Sequence, residues 1–185
     1  MIIRILFIVL LIGPIFFTPT AKAQSRDHLT PQEVDLVKEA QILDKRIDVF
    51  IKAADRRVMV LNGGAAANAK QLKKDAERWG ELPTGSRAEL VSDIARIFDE
   101  AITNIDDVSA RDERNPLIAK SLRKLAQSVN TIMEQLKPLR VAAKSDAEIA
   151  SFESLNEDAQ SILEAVTKLP PEVEKEKKTK AKGNE

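Results

Sequence analysis

The chain has 185 residues with 29 basic and 29 acidic side chains, a single His, and neither Cys nor Tyr. That composition excludes disulfide and thiol chemistry, gives no basic domain for nucleic acid, and leaves one imidazole for any metal or nucleophile-base arrangement. The length suffices for one domain with its own core.

The first segment, MIIRILFIVLLIGPIFFTPTAKAQ, opens on one early cation, Arg4. It continues as a 13-residue apolar run from Ile5 to Phe17 and closes on Ala21-Lys22-Ala23. This is the order of a secretory signal peptide. A spanning helix needs about 20 mostly apolar residues, so the run is short for a permanent anchor, although retention as an anchor stays open. The expected organisation is a signal peptide over 1–23, a polar lead-in over 24–30, a helical bundle over 31–169, and a disordered charged tail over 170–185. No Cys follows the run to take a lipid. Cleavage after Ala23 removes Arg4 and Lys22, leaving 27 basic against 29 acidic residues. The expectation is an exported protein, periplasmic or secreted, with no stable membrane span after cleavage and no nucleic-acid partner.

Helix starts repeat one device. Thr30-Pro-Gln-Glu33, Ser86-Arg-Ala-Glu89 and Ser145-Asp-Ala-Glu148 each fit a capping box, in which a hydroxyl and a carboxylate three residues apart answer each other's backbone N–H. Asn115-Pro116 supplies a fourth start, with Pro at the first helical position. Asn62-Gly63-Gly64, Gly80 with Pro83, and Pro170-Pro171 mark stops.

Between these signals apolar residues recur at threes and fours. Leu36, Ala40, Leu43, Ile47, Phe50, Ala54, Val58 and Leu61 predict one continuous first helix. A short Ala-rich helix follows over 65–79. Val91, Ile94, Phe98, Ile102 and Ile105 line the next. Ile118, Leu122, Leu125, Val129, Ile132, Leu136 and Leu139 line another, with a kink expected at Pro138. Ile149, Phe152, Leu155, Ala159, Ile162, Val166 and Leu169 line the last. No strand-like alternation competes, so the expected fold is all-α: an antiparallel helical bundle of four main helices plus one short Ala-rich helix.

The stretch DKRIDVFIKAADRRV, residues 44–58, carries eight charged side chains. Placed about 100° apart, Asp44, Asp48 and Asp55 fall on one flank of the apolar stripe and Arg46 and Arg57 on the other. Lys38, Lys45, Lys52 and Arg56 face away. They read as solvated flanks that choose helix neighbours. Residues 87–108 are acidic by four charges, 113–144 basic by five and 145–169 acidic by five. A basic helix beside acidic ones follows as the expectation, although exposed pairs are worth only about 0 to 1 kcal/mol each.

Ile42, Val49, Ala53 and Val60 form a second apolar line on the same helix. Either that helix touches neighbours on two sides, or the line is a partner or self-association surface; in the second case Val49→Asp abolishes association and spares helicity.

Chemistry is sparse. His28 sits in the polar lead-in, where a lone His reads as solvated, with no second His or Cys to complete a metal site, and Gly63-Gly64 lacks the Lys of a phosphate loop. In NIDDVSARDERNP, Asp106, Asp107, Asp112 and Glu113 offer oxygens, but their spacing and the missing Gly depart from a calcium loop; the stretch also reads as a helix end and restart. No catalytic residue, cofactor or metal ligand is therefore assigned, and no enzyme activity is expected.

His28-Leu-Thr-Pro-Gln-Glu33 shares Leu-Thr with the Leu-Thr-x-x-Gln signature of small envelope-stress chaperones such as the Spy family, but Glu stands at position 33 and no second copy occurs. More broadly, LTPQEVDLVKEAQILDKRIDVFIKAADRR, with DEAITNIDDV, resembles uncharacterised exported all-helical bacterial proteins with no assigned activity. The resemblance implies a bacterial envelope setting and transfers no residue roles. The functional expectation is a protein-interaction or structural module of the cell envelope, with an unknown partner or self-association. The alternative is a periplasmic bundle binding a small apolar ligand in a cavity among Trp79, Phe98 and Phe152.

Overall fold

Cap chemistry sets where the helices begin. In the computed structural model, which describes residues 26–64 and 69–171, the helices are α1 (Pro31–Glu39), α2 (Leu43–Leu61), α3 (Ala69–Trp79), α4 (Arg87–Arg111), α5 (Pro116–Val141) and α6 (Asp146–Thr167). No strand occurs among the described residues, so the fold is all-α. The leader, residues 65–68 and the tail from 172 lie outside the described residues.

At α1 the Glu33 N–H donates to Thr30 Oγ1 at 3.3 Å and the Thr30 N–H returns to Glu33 Oε2 at 2.9 Å. Ser86 and Glu89 repeat the exchange at 2.7 and 3.3 Å on α4. The third box is incomplete: Ser145 Oγ caps Glu148 N, but the Glu148 carboxylate takes the N–H of Lys144 instead of that of Ser145. Asn115 Oδ1 accepts from Leu117 N at 3.0 Å ahead of α5, which runs on through Pro138 to Val141. Gly63 and Gly80, both near φ +65°, turn the chain out of α2 and α3.

The predicted first helix is two. The chain breaks at Ala40–Ile42, where Ala40 leaves helical geometry (φ −77°, ψ 81°) and the Arg46 side chain takes the freed Ala40 carbonyl at 2.9 Å. The break lets α1 fold back along α2, and among the described residues six helices stand where five were expected.

Four long helices enclose the core, with Ile47, Phe50, Ile94, Phe98, Leu125, Ile132, Leu155 and Ile162 all at 0 % exposure. Around it, α2 neighbours α4 and α5, and α6 neighbours α4 and α5, while α4 and α5 meet only across the diagonal. Side-chain pairs give the directions. Arg46 bonds Asn104, and Arg57 lies 3.8 Å from Asp93, so α2 and α4 run oppositely. Lys120 bonds Asp44 and Lys124 bonds Asp48, both at 2.6 Å, so α2 and α5 run the same way. Arg87 meets Glu148 at 3.4 Å, joining the N-terminal ends of α4 and α6, which are therefore parallel.

Antiparallel packing between every pair of neighbours, as expected from the short connections, does not occur. Consecutive long helices do alternate in direction, but the four-residue link from α4 to α5 crosses the diagonal and sets like-directed helices side by side. The charge expectation shifts with it. Basic α5 touches acidic α6 as expected, but its other neighbour is α2, and the two acidic helices α4 and α6 make the most extensive contact of all. Their shared face is apolar, through Ile94, Phe98 and Ala101 against Leu155, Ala159 and Ile162. The burial of those side chains, about 1.5 to 3 kcal/mol each for the larger ones, outweighs screened repulsion between charges that stay outside.

Candidate functional site

Charge does enter the interior, most densely around Glu33. Glu33, on the first turn of α1, is at 0 % exposure, and Arg56 and Arg57 of α2 are at 2 % and 1 %. Both Glu33 oxygens are engaged. Oε1 accepts from Arg56 Nε at 3.1 Å and Arg57 Nη1 at 2.8 Å; Oε2 accepts from Thr30 N at 2.9 Å and lies 2.8 Å from Arg57 Nη2. The acid that completes the cap of α1 is also the counter-ion that fixes α1 to α2.

The two guanidinium groups spread outward from that centre. Arg57 also donates to the carbonyls of Ala53 at 2.8 Å and His28 at 2.5 Å. Arg56 donates to the carbonyls of Gly80 and Glu81 and lies 5.7 Å above the Trp79 ring, tying down the end of α3. Burial pulls the Arg56 guanidinium below its ordinary value, opposed by the charge of Glu33. Across the clasp, buried Asp93 of α4 bonds Arg26, which also donates to Thr84 O at 2.6 Å, while Arg96 holds the Arg26 carbonyl at 2.8 Å. Desolvation raises the Asp93 carboxyl above its usual range, with Arg26 and Arg57 pulling it back. His28 lies half-buried on α4, 2.7 Å from Glu100 Oε2. Residues 26–30 are thus strapped onto α4 and α2.

This corrects two expectations. The eight charges of 44–58 are not all solvated flanks: Asp44, Arg56 and Arg57 are buried. His28 is not a solvated loop residue. A signal for the clasp was available: positions 49, 53 and 60 of the second apolar line leave a gap that 56 fills at helical spacing, so Arg56 stands on a face otherwise apolar. What the sequence does not reveal is the fold-back that brings Glu33 there, because neither Gly nor Pro marks the break at 40–42.

The four residues of that line separate. Val49 is at 7 % exposure and Ala53 at 0 %, Val60 is half-buried, and Ile42, the residue ahead of α2, is at 55 %. They do not form one continuous exposed strip, since α1 and the end of α3 cover its middle. Val49→Asp would accordingly insert charge into packed structure and no longer isolates association. Asp106, Asp107, Asp112 and Glu113 are exposed around the end of α4, and among the described residues no group of three His, Asp or Glu side chains is placed to hold a cation. Trp79, Phe98 and Phe152 do not share a cavity: Phe98 is packed in the core, Trp79 lies under Arg56, and Phe152 floors a groove on another side.

Two grooves bear on ligands. One of about 430 Å³ opens among α1, α2 and α3 over Leu36, Ala40, Val49 and Trp79. Another of about 260 Å³ lies between α5 and α6 over Met133, Leu136, Phe152 and Leu155, rimmed by Glu134, Lys137 and Arg140. No described helix is long and apolar enough to cross a membrane. Comparison of the chain with protein-family models, curated proteins and solved structures finds no match.

Proposed function

We propose that this is an exported helical-bundle protein of the cell envelope that acts through its surfaces, as a protein-interaction or structural module. The scaffold is read as a four-helix bundle of α2, α4, α5 and α6, with α1, α3 and the lead-in fastened to it. The observation that carries the reading is the enclosure of Glu33. The most deeply buried acid of the described residues has both oxygens engaged by Thr30, Arg56 and Arg57 and no exposed surface, so it is not placed as a general base, which must come within reach of a substrate proton. The densest group of polar side chains is spent on holding pieces of the chain together. The leader-like first 23 residues support an envelope setting.

Crosslinking in intact cells, followed by purification of the tagged protein and mass spectrometry, tests this. Recovery of a defined partner or of self-crosslinks supports the module reading. Recovery of the uncrosslinked monomer alone, with a control showing that the reagent reached the compartment, overturns it.

A second reading, a binding bundle for a small apolar ligand, is favoured by the groove between α5 and α6, which has an apolar floor and charged rim. It requires an apolar compound to raise the melting temperature as ligand binding to the folded state demands.

A further inference from the structure

The outer face of the α5–α6 hairpin holds a pattern that the clasp leaves unused. Among the described residues three large apolar side chains are exposed, and two of them, Val141 at 83 % and Ile149 at 42 %, flank the turn joining α5 to α6. Val141 lies one helical turn beyond Lys137, and Ile149 one turn before Phe152; both of those residues line the α5–α6 groove. Residues four or three apart share a helix face, so the two apolar side chains extend the groove to the end of the hairpin.

The charges of this face are sorted by helix. Lys120 and Lys124 of α5 are engaged by Asp44 and Asp48 of α2; Arg123, Lys137 and Arg140 stand toward α6, with Lys137 also 3.7 Å from Glu134 on its own helix. Residues 145–169 carry six acids and one base, with Glu153, Glu157 and Glu164 exposed. Folding the hairpin about its turn sets Arg123 level with Glu164 and Lys137 within one turn of Glu153; the bond from Arg123 to the Pro170 carbonyl fits that register. One face therefore carries three bases and one acid, Glu134, along one edge and acids along the other, with matching heights.

Resting on the module reading, we infer that the partner for this face is a second copy of the same chain, related by a two-fold axis running along the helices. That axis lays α5 of each copy antiparallel on α6 of the other. It brings Val141 toward Ile149 twice, Arg123 toward Glu164 and Lys137 toward Glu153. The other in-plane axis would stack α5 on α5, basic against basic, so charge selects between the two arrangements. Helices of 22 and 26 residues present a face roughly 36 Å long and 20 Å wide, about 700 Å² per copy and close to the roughly 800 Å² that a specific interface buries on each partner.

Sedimentation of the purified protein over a concentration series tests the pairing, with circular dichroism as the check on folding. The wild type is expected to dimerise reversibly, and Val141→Asp with Ile149→Asp to weaken the dimer by about tenfold or more, since burying two carboxylates in each half costs several kcal/mol. The decisive arm uses Lys137→Glu and Glu153→Lys separately. Each should be monomeric because like charges then meet across the axis, and an equimolar mixture should form a heterodimer because each copy supplies what the other lacks. A wild type that stays monomeric, single variants that still dimerise, or a mixture that stays monomeric overturns the inference. Capture of a different protein by in-cell crosslinking, with a monomeric wild type, would overturn self-pairing while retaining the module reading.

Discussion

Glu33 occupies two roles that usually belong to different residues, the return half of a cap and the centre of a buried ion cluster. Replacing it with Gln keeps the shape but removes the carboxylate that bonds both buried guanidinium groups, leaving Arg57 only Asp93 at 3.8 Å, a change that costs about 3 to 5 kcal/mol. Urea unfolding of Glu33→Gln should show a loss of that size; a loss below about 1 kcal/mol would mean that Arg56 and Arg57 find water instead. The acids also differ in how they answer pH. The Lys120 hydrogen bond, with neighbouring lysines, holds Asp44 below its usual 3.8. Its contribution is present above that value and is lost as pH falls through the lower folded one. Asp93 and Asp158 are raised mainly by desolvation, so theirs is present below 3.8 and lost as pH rises through the folded values. Asp44→Asn should therefore be less stable than wild type at pH 6, and the deficit should shrink by pH 2.5. A deficit that does not change between those points would remove the ion pair from the explanation.

At the level of helices, the caps were the most legible part of the sequence, because a hydroxyl and a carboxylate three residues apart act locally and need no knowledge of the fold. The exposed Ser86–Glu89 box tests that locality: Ser86→Ala should cost about 1 kcal/mol, read as a shift in the urea midpoint with unchanged slope. An unchanged midpoint would mean that water replaces the cap without loss. The α1–α2 break was not legible. Leu36, Ala40, Leu43 and Ile47 keep helical spacing straight through it, so periodicity reports one helix where the chain turns. What decides is tertiary: Val49 and Ala53 gain cover from α1, and Glu33 reaches a pair of arginines 23 and 24 residues on. The order of helices around the core was hidden for a similar reason. Net charge suggested alternation of sign, but the apolar faces of α4 and α6 fit each other well enough to override it. The interior positions themselves were read correctly over most of α4, α5 and α6, where a single stripe faces a single core; Ile149, expected to line α6, is instead exposed.

Across the whole molecule, the lead-in acts as a strap between elements distant in sequence. Arg26 reaches Asp93 over 67 residues, and His28 reaches Glu100 over 72. Arg26→Ala should loosen that strap before it loosens the core, so amide hydrogen exchange at residues 28–34 should speed by about tenfold or more while α5 and α6 keep their protection. Equal acceleration everywhere would mean that the strap is part of the global folding unit. The same span sets an order of events. A chain synthesised at about 5 to 20 residues per second exposes Arg26 roughly 3 to 13 seconds before Asp93 exists to receive it. The α5–α6 hairpin, closed by four residues, has no such wait. The earliest part of the described chain is therefore fastened late, and until α4 emerges its N-terminal segment stays an open end, available to whatever machinery handles the nascent protein.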